Sequence, residues 1–519
     1  MQAPEALRSH RVVVVGAGIG GLVSALELAH QGLQVTVVEA ALTPGGKMRQ
    51  VQVDGAAIDS GPTVFTMRWV FDQWLAGMGT SLADLLTLEP MHVLARHAWR
   101  GTQGHLDLFS DTRRSADAIA AFSSPQESRR FLAFCAQTRA LYHALEGPYI
   151  RSERPTLTSM ATDLGPRGLG VLMGLGPFAT LWGALSKSFH DPRLQQLFAR
   201  YATYCGASPW SAPATLMLVA QVELDGVWSV KGGMHAVAAA LARLATQKGV
   251  QFRYGVACRE IEVQGGKASG VVLATGERLA ADSVVFNGDS AALAGGLLGP
   301  KSMSAVPRQP RSARSLSALT WSMHTRASGF ALVRHNVFFD NDYASEFDDI
   351  FQRRRLPGTG TVYVCAQDRG DDGVAPDQPE RLLCLVNAPP DGDTHPFEES
   401  ETHACQTRSL ALLRQCGLTL EPQAHQSVLT TPQHFNQLFP GSGGALYGRA
   451  THGWMSAFQR PASTSKIPGL YLAGGSVHPG PGVPMAAMSG RLAAATLMAH
   501  LGSTSRSRRV VISGGMSTP

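Results

Sequence analysis

The chain lacks the cysteine patterns of disulfide-rich and metal-binding proteins. Its 519 residues include only seven cysteines, and no two of them are closer than 11 positions, so no Cys-x-x-Cys pair occurs. Disulfide scaffolds and structural zinc sites both use closely spaced cysteines, so we expect neither, nor any other metal site. The same pattern favours a reducing compartment, and we predict a cytoplasmic protein.

Charge of one sign is also scarce. Charged residues make up 16% of the chain, and the formal net charge is +6. Three of the basic residues, Arg506, Arg508 and Arg509, lie in a terminal tail without acidic residues, so the rest of the chain has an excess of only three. Nucleic-acid binding needs a concentrated basic face, and we predict no nucleic-acid partner. We expect residues 503–519 to form a disordered basic tail.

Long apolar runs are almost absent. Near the start, only the four valines 12–15 precede a glycine cluster, so no secretory signal peptide is visible. The exception is the segment 168–185, which has 18 consecutive residues without a charged side chain. Its five glycines and Pro177 fit an element that dips into a membrane better than a spanning helix. A buried core helix is the other interpretation, and the sequence alone does not separate the two.

A dinucleotide-binding βαβ pattern occupies the first forty residues. A buried strand is followed by a glycine-rich turn, a helix and a second strand that ends at Glu39. The glycines of the turn are Gly16, Gly18, Gly20 and Gly21. They allow the backbone to approach a pyrophosphate closely, and the carboxylate accepts hydrogen bonds from a ribose hydroxyl. The pattern does not distinguish NAD from FAD.

A second glycine-rich strand end lies near the end of the chain. Residues 469–490 read GLYLAGGSVHPGPGVPMAAMSG, a strand followed by glycine turns and the start of a helix. Such a turn presents backbone N–H groups and a positive helix end to an electron-rich ligand. Two distant turns of this kind predict one long cofactor held at several points. The residues that we expect to contact it here are Gly474, Gly475, Gly482, Val483, Pro484 and Met485.

These blocks predict an α/β protein with a discontinuous Rossmann-type domain. We assign residues 1–90, 226–290 and 441–502 to this nucleotide-binding domain, because each stretch contains strand patterns that end in glycine-rich or acidic turns. Residues 91–225 and 291–440 interrupt it with a different texture of short strands, apolar helices and polar loops. We expect them to form a substrate domain of mixed sheet and helices that also makes the membrane contact.

Two motifs after the second strand carry a resemblance to a known family. They read Pro-Gly-Gly-Lys-Met at 44–48 and Asp-x-Gly-Pro-Thr at 59–63. With them, the chain resembles the FAD-dependent amine oxidase and phytoene desaturase superfamily, which implies FAD as the cofactor. The resemblance implies further cofactor contacts from Gly45, Gly46, Lys47, Asp59, Gly61, Pro62, Thr63, Cys258 and Asp289. Lys47 stands where arginine is frequent, so a bidentate phosphate contact becomes a point-charge contact.

The closing segment narrows this resemblance. Gly474, His478, Pro479, Gly480 and Gly482 match the signature of bacterial-type phytoene dehydrogenases, with Val477 and Pro481 as departures. The run HPGPGVPMA is most similar to the 1-hydroxycarotenoid 3,4-desaturases of purple bacteria. The resemblance extends over residues 11–500.

The resemblance implies a carotenoid desaturase that introduces a C3,4 double bond into a 1-hydroxycarotenoid. Hydride transfer to the flavin and loss of a proton from the neighbouring carbon would form the bond. His478 is the titratable residue within the flavin-side motif, so it is a candidate proton acceptor, or else it fixes the turn. The implied partners are a carotenoid from the lipid bilayer, oxygen or a quinone as electron acceptor, and the inner or photosynthetic membrane, contacted peripherally through 168–185.

Three alternatives stay open at this point. A phytoene-type desaturase and a carotenoid isomerase belong to the same family, and the isomerase would remove no hydrogen from its substrate. A non-catalytic protein that escorts prenyl chains shares the superfamily fold. The complete glycine fingerprint with Glu39 and the full C-terminal motif favour a flavoenzyme over an escort protein.

Overall fold

The computed structural model describes residues 9–153, 155–176 and 178–511. Arg154, Pro177, the first eight residues and the last eight lie outside it, together with the parts of the sequence predictions that fall on them. Short 3₁₀ or π turns connect the main elements at Glu146–Ile150, Arg200–Cys205, Ala214–Met217, Pro300–Ala305, Arg311–Ala313, Ala424–Gln426 and Ser456–Gln459.

In the described residues the strands are β1 (Arg11–Val15), β2 (Gln34–Val38), β3 (Gln50–Val53), β4 (Ala56–Asp59), β5 (Phe65–Thr66), β6 (Leu88–Pro90), β7 (Val93–Trp99), β8 (Leu106–Phe109), β9 (Val227–Val230), β10 (Gln251–Arg253), β11 (Cys258–Gln264), β12 (Lys267–Leu273), β13 (Arg278–Ala280), β14 (Ser283–Phe286), β15 (Ser317–Thr325), β16 (Ala327–Ser328), β17 (His335–Phe339), β18 (Val362–Ala366), β19 (Glu380–Ala388), β20 (Thr419–Leu420), β21 (Ser427–Thr430) and β22 (Leu470–Leu472).

The α-helices of the same residues are α1 (Ile19–His30), α2 (Trp69–Ala76), α3 (Leu82–Leu85), α4 (Thr112–Phe122), α5 (Pro125–Leu145), α6 (Leu157–Leu175), α7 (Leu181–Ser188), α8 (Pro192–Ala199), α9 (Leu218–Leu224), α10 (His235–Gln247), α11 (Ser290–Ala294), α12 (Tyr343–Phe351), α13 (Glu399–Gln415), α14 (Pro432–Leu438) and α15 (Val483–Val511).

The nucleotide-binding part is a five-stranded parallel sheet in the order β10-β2-β1-β14-β22. Its inner strands are almost wholly buried, as expected for a parallel sheet covered on both faces. The strands come from three separated stretches, 11–38, 251–286 and 470–472. The carboxyl ends of β1, β2, β14 and β22 therefore meet at one edge of the sheet. This arrangement confirms the predicted α/β class with a Rossmann-type domain.

A crossing without side chains joins the first and last helices of this domain. A β-carbon on Gly490 of α15 would lie 2.3 Å from the Gly20 carbonyl oxygen of α1. The Ser24 hydroxyl donates to the Gly490 carbonyl across the same contact, at 3.0 Å. The two helices can approach this closely only because both positions are glycine.

The substrate domain is built on a seven-stranded sheet in the order β21-β15-β19-β18-β17-β7-β8. All its pairs are antiparallel except β7 with β17. One face packs against α13 in a core that includes Trp321, Phe338 and Leu412. Residues of alternate position, such as Val337 and Phe339, belong to a second core with the helices α4, α5, α7 and α8. The sheet thus separates two hydrophobic cores, since successive side chains of a strand point to opposite faces.

The uncharged segment 168–185 is not one helix. Helix α6 contains a non-helical residue at Gly165 and ends at Leu175, and α7 begins at Leu181. Leu181 and Leu185 are buried, whereas Met173 is 65% exposed. A buried core helix therefore describes only the second half of the segment. No helix among the described residues is long and apolar enough to cross a membrane.

The last helix includes residues 503–511, where we expected a disordered tail. The rest of that tail, 512–519, lies outside the described residues. Its three arginines, all within the helical part, therefore belong to an extension of α15.

We predict that Gly490→Ala destabilises the protein by about 1–3 kcal/mol, because its methyl group would overlap the Gly20 carbonyl and push α15 away from α1. Gly502→Ala is the control within the same helix, because a β-carbon there meets no atom within 4 Å. We expect Gly502→Ala to be neutral or stabilising by up to about 1 kcal/mol, since alanine favours helix. Denaturation midpoints in urea measure both changes. Equal midpoints for the two variants would show that the crossing tolerates a side chain.

Candidate cofactor and substrate site

The two glycine-rich turns meet at the carboxyl edge of the parallel sheet. Asn287, which follows β14, donates from its side-chain amide to the Gly16 carbonyl at 3.2 Å. A β-carbon on Gly474 would lie 2.9 Å from the Asn287 side-chain oxygen, and one on Gly20 would lie 2.7 Å from the Gly474 nitrogen. Asn287 therefore stands between turns that are more than 440 residues apart in the sequence.

The Gly-Gly-Lys turn packs against the fingerprint turn. The Gly45 amide donates to the Ala17 carbonyl at 2.9 Å, and a β-carbon on Gly46 would lie 3.1 Å from the α-carbon of Gly18. The Asp-x-Gly-Pro-Thr motif at 59–63 packs closely against the Gly-Gly-Lys turn. A β-carbon on Gly61 would lie 1.8 Å from the Lys47 carbonyl oxygen. The motifs thus form one continuous backbone surface, at which only glycine fits.

A single cavity of about 1210 Å³ runs from this surface into the substrate domain. Ligand pockets commonly have volumes of about 300–1,000 Å³, so this cavity has room for more than one small ligand. The predicted cofactor residues that line it are Gly16, Gly18, Gly20, Glu39, Gly45, Gly46, Lys47, Gly61, Pro62, Thr63, Cys258, Asp289, Gly474, Gly475, Gly482, Val483, Pro484 and Met485. Gly21, Asp59 and His478 are not among the lining residues. Gly21 serves the turn itself, because a β-carbon there would overlap the Gly16 carbonyl oxygen at 2.0 Å.

Glu39 is held at the end of β2 by main-chain donors. One carboxylate oxygen accepts from the Ala17 amide at 2.6 Å, and the other accepts from the Ala41 amide at 2.8 Å. Each oxygen of a carboxylate can accept a further hydrogen bond. The carboxylate is therefore fixed in direction and still able to accept from the hydroxyls of a ribose.

Lys47 brings a positive charge into the cavity. Its ammonium donates to the Leu446 carbonyl at 2.5 Å and lies 5.4 Å from the centroid of the Phe439 ring. Burial lowers the pKa of Lys47, while the Asp289 carboxylate acts in the opposite direction. An enclosed ammonium is stabilised when an anion offsets its lost hydration. The pyrophosphate of a dinucleotide fits this requirement.

Helices α11 and α15 both begin at the cavity, and helix starts favour a negatively charged ligand. Asp289 caps α11 by accepting from the Ala291 amide at 2.9 Å. Val483, Pro484 and Met485 form the first turn of α15 and line the cavity. Helix N-termini stabilise negative charge and electron-rich groups. The glycine surface, Lys47 and this helix start together fit a dinucleotide that extends across the edge of the sheet.

Asp59 corrects one sequence prediction. Its carboxylate accepts from the Met234 amide, and its main-chain N–H and C=O bond to the Gln367 side chain at 3.1 and 2.8 Å. It is 6% exposed and does not line the cavity. Asp59 therefore connects β4 to α10 and to the substrate domain. It positions residues 61–63 instead of serving as a cofactor ligand.

His478 corrects a second prediction. It is 3% exposed, its Nε2 bonds to the Ser152 carbonyl at 2.8 Å, and its ring stands edge-on to Tyr149 with centroids 5.1 Å apart. Burial lowers the pKa of His478 to about 4. His478 does not line the cavity, and its side chain is held by the Ser152 carbonyl. The structure therefore gives His478 the role of fixing the turn.

The structure also brings together residues that the sequence did not single out. Arg200, Tyr204 and Glu223 line the substrate side of the cavity, and we call these three residues the polar wall. Tyr363 lies beside Thr63, with 2.7 Å between their hydroxyl oxygens, and lines the cavity as well. Only the spacing of Arg200 and Tyr204, one turn apart, carried any sequence signal. The other members come from distant strands and helices.

The remainder of the substrate side is apolar. Its lining residues come mainly from α6, α9 and the strands that face them, and include Leu164, Leu169, Leu172, Met173, Leu218, Val219 and Val222. Leu169 and Met173 are also 41% and 65% exposed to solvent, so the cavity opens where they lie. Trp454 lines the same opening, and Phe178 stands edge-on to it with ring centroids 5.8 Å apart. We call Leu169, Met173, Phe178 and Trp454 the mouth patch.

We predict that His478→Gln keeps bound cofactor and turnover at pH 7 and flattens the dependence of stability on pH. Between pH 6.5 and 4 the unfolded chain protonates this histidine while the folded protein does not. The stabilisation is therefore full above pH 6.5 and is lost as the pH falls toward 4, by about 3 kcal/mol. Thermal unfolding at pH 7, 6, 5 and 4 measures the effect.

The exposed histidine His30 provides the control, since His30→Gln should leave the slope of the wild-type curve unchanged. A His478→Gln protein that retains its flavin but loses turnover at every pH would restore His478 as the proton acceptor.

Comparison with known proteins agrees with this geometry. A family model described as flavin-containing amine oxidoreductase matches residues 165–498, and an NAD(P)-binding Rossmann-like domain matches residues 14–75. The chain is 69% identical to hydroxyneurosporene desaturase of Rubrivivax gelatinosus, over 99% of this chain and 98% of the relative. It is 46% identical to hydroxyneurosporene desaturase of Cereibacter sphaeroides, over 96% of this chain and 99% of the relative.

Among solved structures, an oxidoreductase from Methanosarcina mazei superposes with a TM-score of 0.58 at 16% identity, over 93% of this chain and 99% of that one, which supports the fold alone. The predicted resemblance is confirmed by the family model and the relatives, and the flavin-containing family together with the Rossmann-like domain supports FAD as the cofactor. The chain belongs to the flavin-containing amine oxidoreductase family, on the branch of its desaturase relatives, and is an FAD-dependent oxidoreductase.

Proposed function

We propose that this protein is a carotenoid desaturase that introduces a C3,4 double bond into a 1-hydroxycarotenoid during carotenoid biosynthesis. The observation that carries the proposal is the cavity, which joins the dinucleotide surface to a mainly apolar arm that opens at the mouth patch. A polyene is a substrate that such a mainly apolar arm accommodates. The strong identity to hydroxyneurosporene desaturases supports the same substrate class.

When bound, FAD supplies the oxidising power by accepting the hydride that leaves the substrate. The chain's own residues bind the cofactor and orient the substrate. The glycine surface, Glu39 and Lys47 hold the dinucleotide, and residues 61–63 lie between it and the substrate side. The apolar arm aligns the polyene and excludes water from the reacting carbons. The conjugated substrate itself spreads the positive charge that develops as the hydride leaves.

We propose that the mouth patch contacts the membrane from which the carotenoid enters. Four apolar side chains stand exposed there, three of them also lining the cavity, so a polyene could pass from lipid into the arm without crossing water. Because these side chains are between 41% and 74% exposed, their burial in the interfacial region of a bilayer would be favourable by about 1–2 kcal/mol for each side chain. This contact would place the protein at the inner or photosynthetic membrane as a peripheral protein.

Membrane attachment also bears on the return of FAD to its oxidised state. We propose oxygen or a membrane quinone as the electron acceptor, because both dissolve in the lipid phase that the mouth patch would contact. Aerobic and anaerobic turnover, with and without an added quinone, distinguishes the two.

We predict that the protein, expressed in a host that makes 1-hydroxyneurosporene or 1-hydroxylycopene, forms a pigment with one additional conjugated double bond. The product should be lighter by two hydrogen atoms, with absorption maxima at longer wavelength. Mass spectrometry separates this result from isomerisation, which leaves the mass unchanged. An unaltered pigment profile from folded, flavin-loaded protein would refute the desaturase proposal, and the same host supplied with phytoene would reveal a phytoene-type enzyme.

We predict that the double variant Met173→Glu, Phe178→Glu binds lipid vesicles at least about ten-fold more weakly than the wild type, because two apolar contacts become charged. Flotation with phosphatidylglycerol–phosphatidylethanolamine vesicles measures binding. Val374→Glu is the matched control, since Val374 is also 65% exposed but does not line the cavity. Equal binding of wild type and double variant would exclude the mouth patch as the contact.

A further inference from the structure

The polar wall is a cluster of charged and hydroxyl groups inside the substrate side of the cavity. The Arg200 guanidinium donates to the Tyr204 hydroxyl and lies 4.9 Å from the centroid of its ring. The Glu223 carboxylate lies close enough to raise the pKa of Tyr204. Glu223 accepts from the Tyr201 hydroxyl, at 2.7 Å. The Tyr204 hydroxyl thus stands between a cation and an anion.

A pure hydrocarbon gives these groups no partner. Burial raises the pKa of Glu223, while the nearby Arg200 opposes that change, so the enclosed charge is partly compensated within the wall. Apolar side chains of similar volume would avoid the cost of taking both charges out of water. The remainder of the arm is lined in that way, chiefly by leucine, valine and methionine. The wall therefore marks the place where the substrate has a polar group.

The wall lies near the Asp-x-Gly-Pro-Thr motif at 59–63. Tyr363 connects the two, because its hydroxyl is 2.7 Å from the Thr63 hydroxyl, and both Tyr204 and Arg200 are close enough to influence its pKa. The same hydroxyl of Tyr363 is 2.7 Å from Nδ1 of His335. A polar strip therefore runs from residue 63 to the wall, along a cavity whose lining is mainly apolar.

We infer that the polar wall binds the tertiary hydroxyl group at C1 of the carotenoid and thereby sets which carbon–carbon bond reacts. A hydroxyl both donates and accepts, so it can donate to Glu223 while it accepts from Arg200 or Tyr204. The C3–C4 bond is only a few covalent bonds from that oxygen, which matches a wall adjacent to the motif at 59–63. This inference rests on the proposed function and assigns the specificity of the same site.

The neighbouring Tyr201 makes a matched control. Its hydroxyl donates to the Glu223 carboxylate of the polar wall. Its ring, however, is buried beside Phe198 and is not among the residues that line the cavity. Replacing either tyrosine by phenylalanine removes one hydroxyl group near Glu223, but only the change at Tyr204 alters the surface that meets the substrate.

The test compares kcat/KM for two substrates, a 1-hydroxy-1,2-dihydrocarotenoid and the 1,2-dihydrocarotenoid that has hydrogen in place of its hydroxyl group. We expect the wild type to prefer the hydroxylated substrate, because the other leaves the wall unpaired. Tyr204→Phe should reduce this preference about ten- to a hundred-fold, mainly through the hydroxylated substrate. Tyr201→Phe should leave the preference unchanged. Flavin absorbance and the unfolding temperature verify that each variant is folded.

Each outcome bears on a different claim. If the folded wild type desaturates neither carotenoid, the proposed function fails and the inference fails with it. If the wild type has the same kcat/KM for both carotenoids, the inference is overturned while the proposed function stands. The same holds if Tyr204→Phe lowers kcat/KM equally for both carotenoids. Should Tyr204→Phe fail to fold, Glu223→Gln gives the same readout. If flavin-loaded Glu223→Gln loses activity toward both carotenoids, Glu223 takes part in the chemical step and the inference is overturned.

Discussion

The whole structure depends on one close approach between backbones from opposite ends of the chain. Gly20 in the first helix lies against the amide of Gly474, and its carbonyl oxygen lies against Gly490 in the last helix. No side chain fits at either contact. Because these contacts bring the ends of β1 and β22 to one edge of the sheet, the intervening chain must leave the sheet, build the substrate domain and return. The cavity is consequently enclosed by both ends of the sequence.

This constraint explains why the cofactor end could be predicted from the sequence. Gly16 and Gly474 have φ values of +100° and +107°, a region that glycine adopts and other residues rarely do. A backbone that must turn in this way, and must approach a phosphate, therefore leaves its requirement in the local sequence. The buried valines of β1 and the carboxylate that ends β2 are equally local signals. The fold class and a dinucleotide cofactor follow from the same few residues, whereas FAD in particular is implied by the resemblance to a known family.

Motif membership did not reveal where a side chain points, and this is why two assignments had to be corrected. Asp59 and His478 lie within motifs that border the cavity, yet each turns one polar atom toward the main chain of another segment, Met234 and Ser152 respectively. Both side chains are buried, and buried polar groups must find hydrogen-bond partners. The partners come from segments more than 170 positions away, so no local pattern announces them. Sequence proximity to a flavin motif is therefore weak support for a catalytic role.

The substrate side shows how an apolar cavity can select one bond of a long polyene. Hydrophobic contact is not directional, so the apolar arm stabilises a polyene in several registers about equally. A hydrogen bond, in contrast, requires its partner within a few tenths of an ångström. One polar wall at a fixed separation from the motif at 59–63 therefore suffices to define the register of the polyene, while the apolar arm contributes affinity. The polar wall and Tyr363, which connects it to Thr63, come from separate parts of the chain between residues 200 and 363, so only the folded chain brings them together.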